Sequence, residues 1–327
     1  MRLRDKISAF ISVLKVKFLK RRIPLAVRFQ LTNRCTLQCR YCNLWRIKSE
    51  ELSTQEIYYI LDRLAKLGTK RISFSGGEPL LREDIGKIID YCRKKNIYPE
   101  MNSNGTLLPY KIGEIRNLDF LKLSLDGPEE IHDFLRGKGS YKSVIKAAEV
   151  AYKNKIRFGF AVTLTRYNIE YLDFVLEVAR RFHVIVAFQP LKQLYRGVED
   201  IGDLVPSQEK FRLAISKLIV IKKKGDKHIR NSLLGLKHIY YWPKYKKLKC
   251  WAGRIFCIIE TNGDIYPCDR ISYDSPLPNV LHLDFKQALY ALPEVKCSGC
   301  GFCGSLELNY LMGFKFGVLS SIKKIIN

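Results

Sequence analysis

Residues 35–42 read Cys35-Thr36-Leu37-Gln38-Cys39-Arg40-Tyr41-Cys42, three cysteines at C-x₃-C-x₂-C spacing. They stand directly after the apolar run Leu25–Leu31, in a short loop that also carries Asn33 and Arg34. Three thiolates in one compact loop can surround one face of a cubane iron–sulfur cluster and leave its fourth iron without a protein ligand. Such an open position can bind and activate a substrate. Disulfide pairing would leave one of the three thiols over. Tetrahedral zinc would need a fourth ligand nearby, and the nearest histidine along the chain is His132.

On the C-terminal side of this loop the chain alternates regularly. Strand-like runs fall at Ala26–Leu31, Lys70–Ser75, Ile97–Asn102, Phe120–Leu125, Arg157–Leu164 and Val184–Gln189. Helix-like segments at Thr54–Leu67, Arg82–Lys95, Tyr110–Arg116, Lys142–Tyr152 and Glu170–Arg181 separate them, and Gln208–Lys224 follows the last strand. Ser53 or Thr54, with Glu56 in the opening turn, supplies an N-terminal cap for the first of these helices. Six β–α units of this length predict an α/β fold, a parallel sheet with helices on its outer face. They are too few to close an eight-stranded barrel. In α/β folds chemistry gathers beyond the C-terminal ends of the strands. The cysteine loop, Ser75-Gly76-Gly77-Glu78-Pro79, Ser103-Asn104-Gly105 and Leu123-Ser124-Leu125-Asp126-Gly127 all fall at such ends.

These four motifs together, with Tyr41 ahead of the last loop cysteine, resemble the signature of the radical S-adenosylmethionine (SAM) superfamily over residues 24–225. The resemblance implies a partial (β/α)6 TIM-like barrel. It also implies reductive cleavage of SAM at a [4Fe–4S] cluster held by Cys35, Cys39 and Cys42. The resulting 5′-deoxyadenosyl radical would abstract hydrogen from a substrate or add to it. By the same resemblance Gly76, Gly77 and Glu78 hold the amino group of SAM, Glu78 accepting from the ammonium. Ser124 and Asp126 would meet ribose hydroxyls, and Tyr41 would pack on adenine. Ser103 and Asn104 belong to the same ligand-binding rim. Arg136 would reach the SAM carboxylate or a neighbouring polar group, and Thr163 and Gln189 close strands five and six towards the ligand. Each also has a structural reading: a helix-terminal charge for Glu78, an Asp-Gly-Pro turn for Asp126, plain packing for Tyr41.

A second field of cysteines lies downstream. Asn262-Gly263 is a strong hairpin signal between the apolar stretches Arg254–Glu260 and Ile265–Cys268. Cys250 precedes the hairpin, Cys268 ends it, and Cys297-Ser-Gly-Cys300-Gly-Phe-Cys303 offers three further thiols. The pattern resembles the auxiliary-cluster appendage called SPASM, or its shortened form called twitch. Beyond residue 245 there are six cysteines, too few for two four-cysteine clusters, so one auxiliary [4Fe–4S] cluster is expected. Cys250 and Cys268 lead the ligand set, with two of Cys297, Cys300 and Cys303. Cys257 in mid-strand and Cys92 within a helix read as buried small hydrophobes. A zinc ribbon is the competing reading of this field. The expected division is a basic amphipathic helix over 1–23, a SAM-binding core over 24–225, the auxiliary domain over 226–307 and a basic apolar helix over 308–327.

The composition, 47% apolar and 27% charged over 327 residues, is that of a globular chain rather than a disordered one. No cleavable leader is expected, because Lys6, Lys15 and Lys17 interrupt the N-terminal apolar residues. No uncharged run approaches the ~18–20 residues of a membrane span. Ten cysteines available to metal suit a reducing cytoplasm. The net charge of +25 suits nucleic acid, an anionic membrane surface, or solvated charge spread along the chain. Leu3, Ile7, Phe10, Ile11, Leu14 and Phe18 recur at helical spacing beside Lys6, Lys15, Lys17, Lys20, Arg21 and Arg22, which favours peripheral contact with the inner face of the membrane. Packing of this helix on the protein's own core is the alternative. A nucleic-acid-binding zinc-ribbon protein and a non-catalytic iron–sulfur electron carrier both leave Gly76-Gly77-Glu78-Pro79 unexplained. The expected partners are a reductant such as ferredoxin or flavodoxin and a substrate among peptides, lipids or cofactor precursors.

Overall fold

The computed structural model describes residues 3–191, 201–268, 276–295, 297 and 299–318, with side chains from residue 8 onward. Six strands, β1 (Ala26–Thr32), β2 (Arg71–Gly76), β3 (Tyr98–Ser103), β4 (Phe120–Ser124), β5 (Phe158–Leu164) and β6 (Ile185–Pro190), lie in sequential parallel order. The helices are α1 (Leu3–Phe18), α2 (Thr54–Leu67), α3 (Ile85–Lys94), α4 (Leu108–Lys111), α5 (Glu129–Arg136) and α6 (Ser140–Lys153). They continue with α7 (Leu172–Arg181), α8 (Gln208–Lys223), α9 (Leu233–Ile239), α10 (Phe285–Ala291) and α11 (Cys303–Met312). The architecture is the expected partial α/β barrel.

Strand periodicity explains its two faces. Phe29, Phe74, Met101, Leu121 and Leu123 are fully buried in one core with Ile57, Ile60, Leu61 and Leu64 of α2 and Ile85, Ile88 and Ile89 of α3. At the alternate positions Arg28, Ser73, Glu100, Asn102, Lys122 and Ser124 line a cavity on the concave side. The inner face is therefore polar and charged, unlike a parallel sheet buried on both sides. Helix α2 begins where expected: Ser53 and Glu56 form a reciprocal capping box.

Several boundaries differ from the sequence reading. Helix α3 starts at Ile85 because Pro79–Leu81 form a 3₁₀ turn and Arg82 is extended. The segment around Tyr110–Arg116 divides into α4 and the 3₁₀ turn Ile112–Ile115. Helix α5 follows Pro128 with Glu129 and Glu130 in its first turn, a start signal the sequence reading passed over. At the C-terminus α11 runs from Cys303 to Met312, earlier than the helix expected over 308–327, and residues 319–327 lie outside the described residues.

The Asn262-Gly263 hairpin forms between β7 (Phe256–Ile259) and β8 (Ile265–Tyr266), with Gly263 at φ 90°. Strand β7 pairs in parallel with β1, Ala26 opposite Phe256 and Phe29 opposite Ile259. One eight-stranded sheet results, in the order β6-β5-β4-β3-β2-β1-β7-β8. The hairpin thus covers the β1 edge that the barrel would otherwise expose. Helix α1 seals the same corner through Val13 and Val16, buried with Trp251, Phe256 and Met312.

Candidate functional site

The cysteine loop emerges from β1, and the turn after β2 holds it by backbone contact. Gly77 N donates to Thr32 O and Glu78 N to Arg34 O, each at 2.8 Å. A Cβ on Gly76 would meet Thr32 O at 2.0 Å, and one on Gly77 would meet Arg34 O at 2.0 Å. The close approach that requires glycine at both positions is therefore made by the cysteine loop itself. Glu78 is fully buried and accepts from Leu80 N at 3.2 Å, Ser103 Oγ at 3.0 Å and Asn104 N at 2.8 Å. Burial pushes its carboxyl up to about 7 against these three donors. Asn104 in turn donates to Thr36 Oγ1 at 3.0 Å and approaches Cys35 Sγ at 3.6 Å. Gly76-Gly77-Glu78 and Ser103-Asn104 thus act as one brace under the loop.

A second brace centres on Asp126. Its carboxylate accepts from Tyr41 Oη at 2.5 Å, Arg136 Nε at 2.7 Å and Thr163 N at 2.9 Å, while its own N–H donates to His132 Nδ1. Burial alone would raise its pKa, but the Arg136 guanidinium and the hydrogen bonds from Arg136 and Tyr41 bring it below the ordinary value. Burial lowers His132 to about 4 and keeps it neutral. Arg40 joins the same region to α5 through Leu135 O and Phe134 O. Asp126, Tyr41 and Arg136 are bound to one another, whereas the sequence reading gave each a separate ligand contact. His132, which accepts from Asp126 N at 3.1 Å, is a residue of this brace that reading missed.

Between the braces lies a cavity of about 320 Å³. Of the expected site residues, Gly76, Ser124, Arg136, Thr163 and Gln189 line it, and so do Cys268 and Cys303. Tyr41, Gly77, Glu78, Ser103, Asn104 and Asp126 are not among the lining residues, and their hydrogen bonds position the loops. Sequence reasoning missed Arg28, Arg71, Glu100, Lys122 and Arg230, all on the cavity wall. The signal for the strand residues was present: polar positions two apart, Arg28/Gln30, Ser73/Ser75, Glu100/Asn102 and Lys122/Ser124, inside otherwise apolar strands.

Among the described residues no three His, Cys, Asp or Glu side chains close to metal-binding distance. The donor chemistry of the loop nevertheless fits an iron–sulfur group. Burial pushes Cys39 up to about 12, opposed by Arg136 and reinforced by the neighbouring Cys42 and Cys35. Burial likewise raises Cys35. Thiols gathered in one loop beside the Arg136 guanidinium can serve as thiolate ligands once a metal's charge lowers their pKa. In the C-terminal field burial raises Cys250, with Cys297 adding to the shift, and the adjacent Trp251 N donates to Asn309 Oδ1 at 3.0 Å. Cys250 and Cys268 each pack against the Trp251 cluster. Cys300 N donates to His238 Nε2 at 3.4 Å, and that ring stacks on Tyr245 at 5.3 Å and meets Tyr310 Oη at 3.2 Å. His238 is a second neighbour of the thiols that the sequence reading missed. Cys92 and Cys257 are buried in the main core, the small-hydrophobe role expected of them.

Residues 29–179 match the family described as the Radical SAM superfamily. The chain is 29% identical over 306 residues to the mycofactocin maturase MftC of Mycolicibacterium smegmatis, covering 87% of this chain and 76% of that protein. It is 31% identical over 284 residues to the uncharacterized protein MJ0907 of Methanocaldococcus jannaschii, covering 83% and 92%. In fold it resembles native anSMEcpe with bound AdoMet and Cp18Cys peptide, with a TM-score of 0.66 at 21% identity over 93% of this chain and 98% of that one.

Proposed function

Because this chain belongs to the Radical SAM superfamily and is an enzyme of that type, we propose that it matures a biosynthetic precursor held in the polar cavity, using a [4Fe–4S] cluster on Cys35, Cys39 and Cys42. Bound there, the cluster and SAM supply a 5′-deoxyadenosyl radical for hydrogen abstraction from, or addition to, the substrate. The observation that carries the reading is the brace of Gly76, Gly77, Glu78 and Asn104, which holds the three-cysteine loop beside that cavity. Ser124, Thr163 and Gln189 offer polar contacts on the wall next to the loop. Arg136, kept charged by Asp126, lends positive potential beside Cys39. The relative named as a maturase supports precursor modification as the type of reaction.

Cys250 and Cys268, with two of Cys297, Cys300 and Cys303, would hold one auxiliary [4Fe–4S] cluster on the flank of the cavity, as electron acceptor or substrate anchor. The cavity-lining positions of Cys268 and Cys303 support this assignment. A low-potential donor of the ferredoxin or flavodoxin kind would supply the electron. The exposed stripe of α1, Phe10, Ile11 and Phe18 with Lys15 and Lys20, would rest on an anionic membrane surface. No described helix is long and apolar enough to cross a membrane.

Anaerobic reconstitution with iron and sulfide, followed by dithionite and SAM, tests the central reading. Wild-type protein is expected to release 5′-deoxyadenosine and methionine, and Cys42→Ala to release none. Equal release by Cys42→Ala would sink it.

A further inference from the structure

The cavity wall carries a set of cations that neither brace uses. Arg71, Lys122 and Arg230 face Glu100, and Arg28 lines the same wall. Glu100 Oε2 accepts from Lys122 Nζ at 2.7 Å and Oε1 from Arg71 Nη1 at 3.3 Å, while Lys122 also donates to Ser73 Oγ at 3.2 Å. Arg230 is brought there by a built element. Residues 228–231 run alongside β6, with Arg230 N donating to Val186 O at 2.8 Å and Asn231 exchanging two hydrogen bonds with Phe188. Among the described cavity-lining residues Glu100 is the one acid, and Arg136, the remaining cation, is paired with Asp126.

One carboxylate cannot neutralise Arg71, Lys122 and Arg230 together, and excess charge withdrawn from water is costly. Burial lowers the pKa of Lys122; Glu100 opposes the shift, and Arg230 and Arg71 add to it. An anion entering the cavity would relieve that repulsion, and the guanidinium forks of Arg71 and Arg230 match a carboxylate or a phosphate. Lys122 is two residues below Ser124 on the same face of β4, about 7 Å along the strand. A group bound to these cations would therefore lie one short arm from the wall beside the cysteine loop.

We infer that the substrate of this enzyme carries an anionic group, carboxylate or phosphate, bound by Arg71, Lys122 and Arg230, with Glu100 as the internal counter-charge. The inference rests on the reading that the substrate occupies this cavity.

The test uses the reconstituted full-length protein with SAM, titrated calorimetrically with glutarate and with inorganic pyrophosphate at constant ionic strength. One saturable site per chain is expected for at least one probe, and the tighter probe identifies the group as carboxylate or phosphate. Arg230→Gln is expected to weaken binding about tenfold or more, the effect of losing one charge-assisted contact. Glu100→Gln is expected to tighten it about tenfold, because the competing carboxylate is gone. A purely structural ion pair would not produce that gain. Should Glu100→Gln prove too unstable to assay, Arg71→Gln with the same loss as Arg230→Gln replaces it. Lys224→Gln, which removes one charge from the exposed end of α8, is expected to bind as wild type does. No saturable binding, or equal weakening by Lys224→Gln and Arg230→Gln, would overturn the inference. SAM cleavage by the same wild-type preparation separates the two claims. Cleavage without anion binding overturns the subsite alone, and no cleavage overturns the broader reading.

Discussion

Gly77 is where a single methyl group would part the two loops of the site. Its added Cβ would lie 2.0 Å from Arg34 O, a backbone atom that cannot swing aside. Gly77→Ala is therefore expected to cost about 1–3 kcal/mol and to lower the iron retained on the cysteine loop, read by thermal unfolding and iron analysis. Asp126 offers a different kind of test, because it neutralises a buried guanidinium. Asp126→Asn should leave Arg136 without its counter-charge and cost about 3 kcal/mol, with part recovered by adding Arg136→Met. Denaturant unfolding of the single and double variants measures both. Glu100 supplies a pH dependence. Burial would raise its pKa, but Arg71, Lys122 and Arg230 hold it down at about 2, against an ordinary 4.5. A lowered carboxyl stabilises the folded state above its unfolded value, and that stability is lost as pH falls from about 4.5 towards 2. Glu100→Gln should flatten this acid limb; an unchanged slope between pH 5 and pH 3 would count against the ion-pair account.

At the scale of elements, α1 divides its apolar residues between two surfaces. Val13 and Val16 are buried against the hairpin corner, while Phe10 is 52% and Phe18 65% exposed. Val13 and Val16, which lie outside the expected stripe, are thus the ones that dock, while Phe10, Ile11 and Phe18 of the stripe are exposed. Lys17 is committed to the protein, donating to Met312 O at 2.8 Å and lying 3.4 Å from the Phe314 ring centroid. Phe10→Asp with Phe18→Asp is expected to abolish sedimentation with anionic vesicles and leave the unfolding midpoint in place. Val16→Asp should instead destabilise the fold by about 3 kcal/mol or more, since it buries an unpaired charge. Vesicle binding that survives the double Phe change would assign the contact to another surface.

At the scale of the whole molecule, the barrel and the C-terminal cysteine field share one sheet. Strand β7 joins them at β1, and Cys268 and Cys303 reach the cavity that Ser124 and Gln189 line. If each field holds its own cluster, the wild-type chain should carry about eight irons after anaerobic reconstitution, four for each [4Fe–4S] unit. Replacing Cys35, Cys39 and Cys42 together by Ala should remove about half and leave the remainder spectroscopically intact. Zinc in place of the second set of irons would favour the ribbon reading of the C-terminal field.

The elements of the barrel were legible in the residues, because strand and helix periods and caps are local properties. Residues such as Phe29, Phe74 and Leu121 mark the helix-covered face, Ser53 and Glu56 mark the start of α2, and Asn262-Gly263 marks the hairpin. The three loop cysteines and their place beyond β1 were legible for the same reason. Which site residues touch which was decided by the tertiary structure. Asp126 meets Tyr41, 85 positions away, and Glu78 meets Asn104, 26 away, pairings that no spacing rule encodes. The parallel register of β7 on β1 and the gathering of Arg71, Glu100, Lys122 and Arg230 in one cavity are likewise products of chain closure. A sheet's alternation tells which residues share a face, but only its order and curvature bring those faces together around a common space.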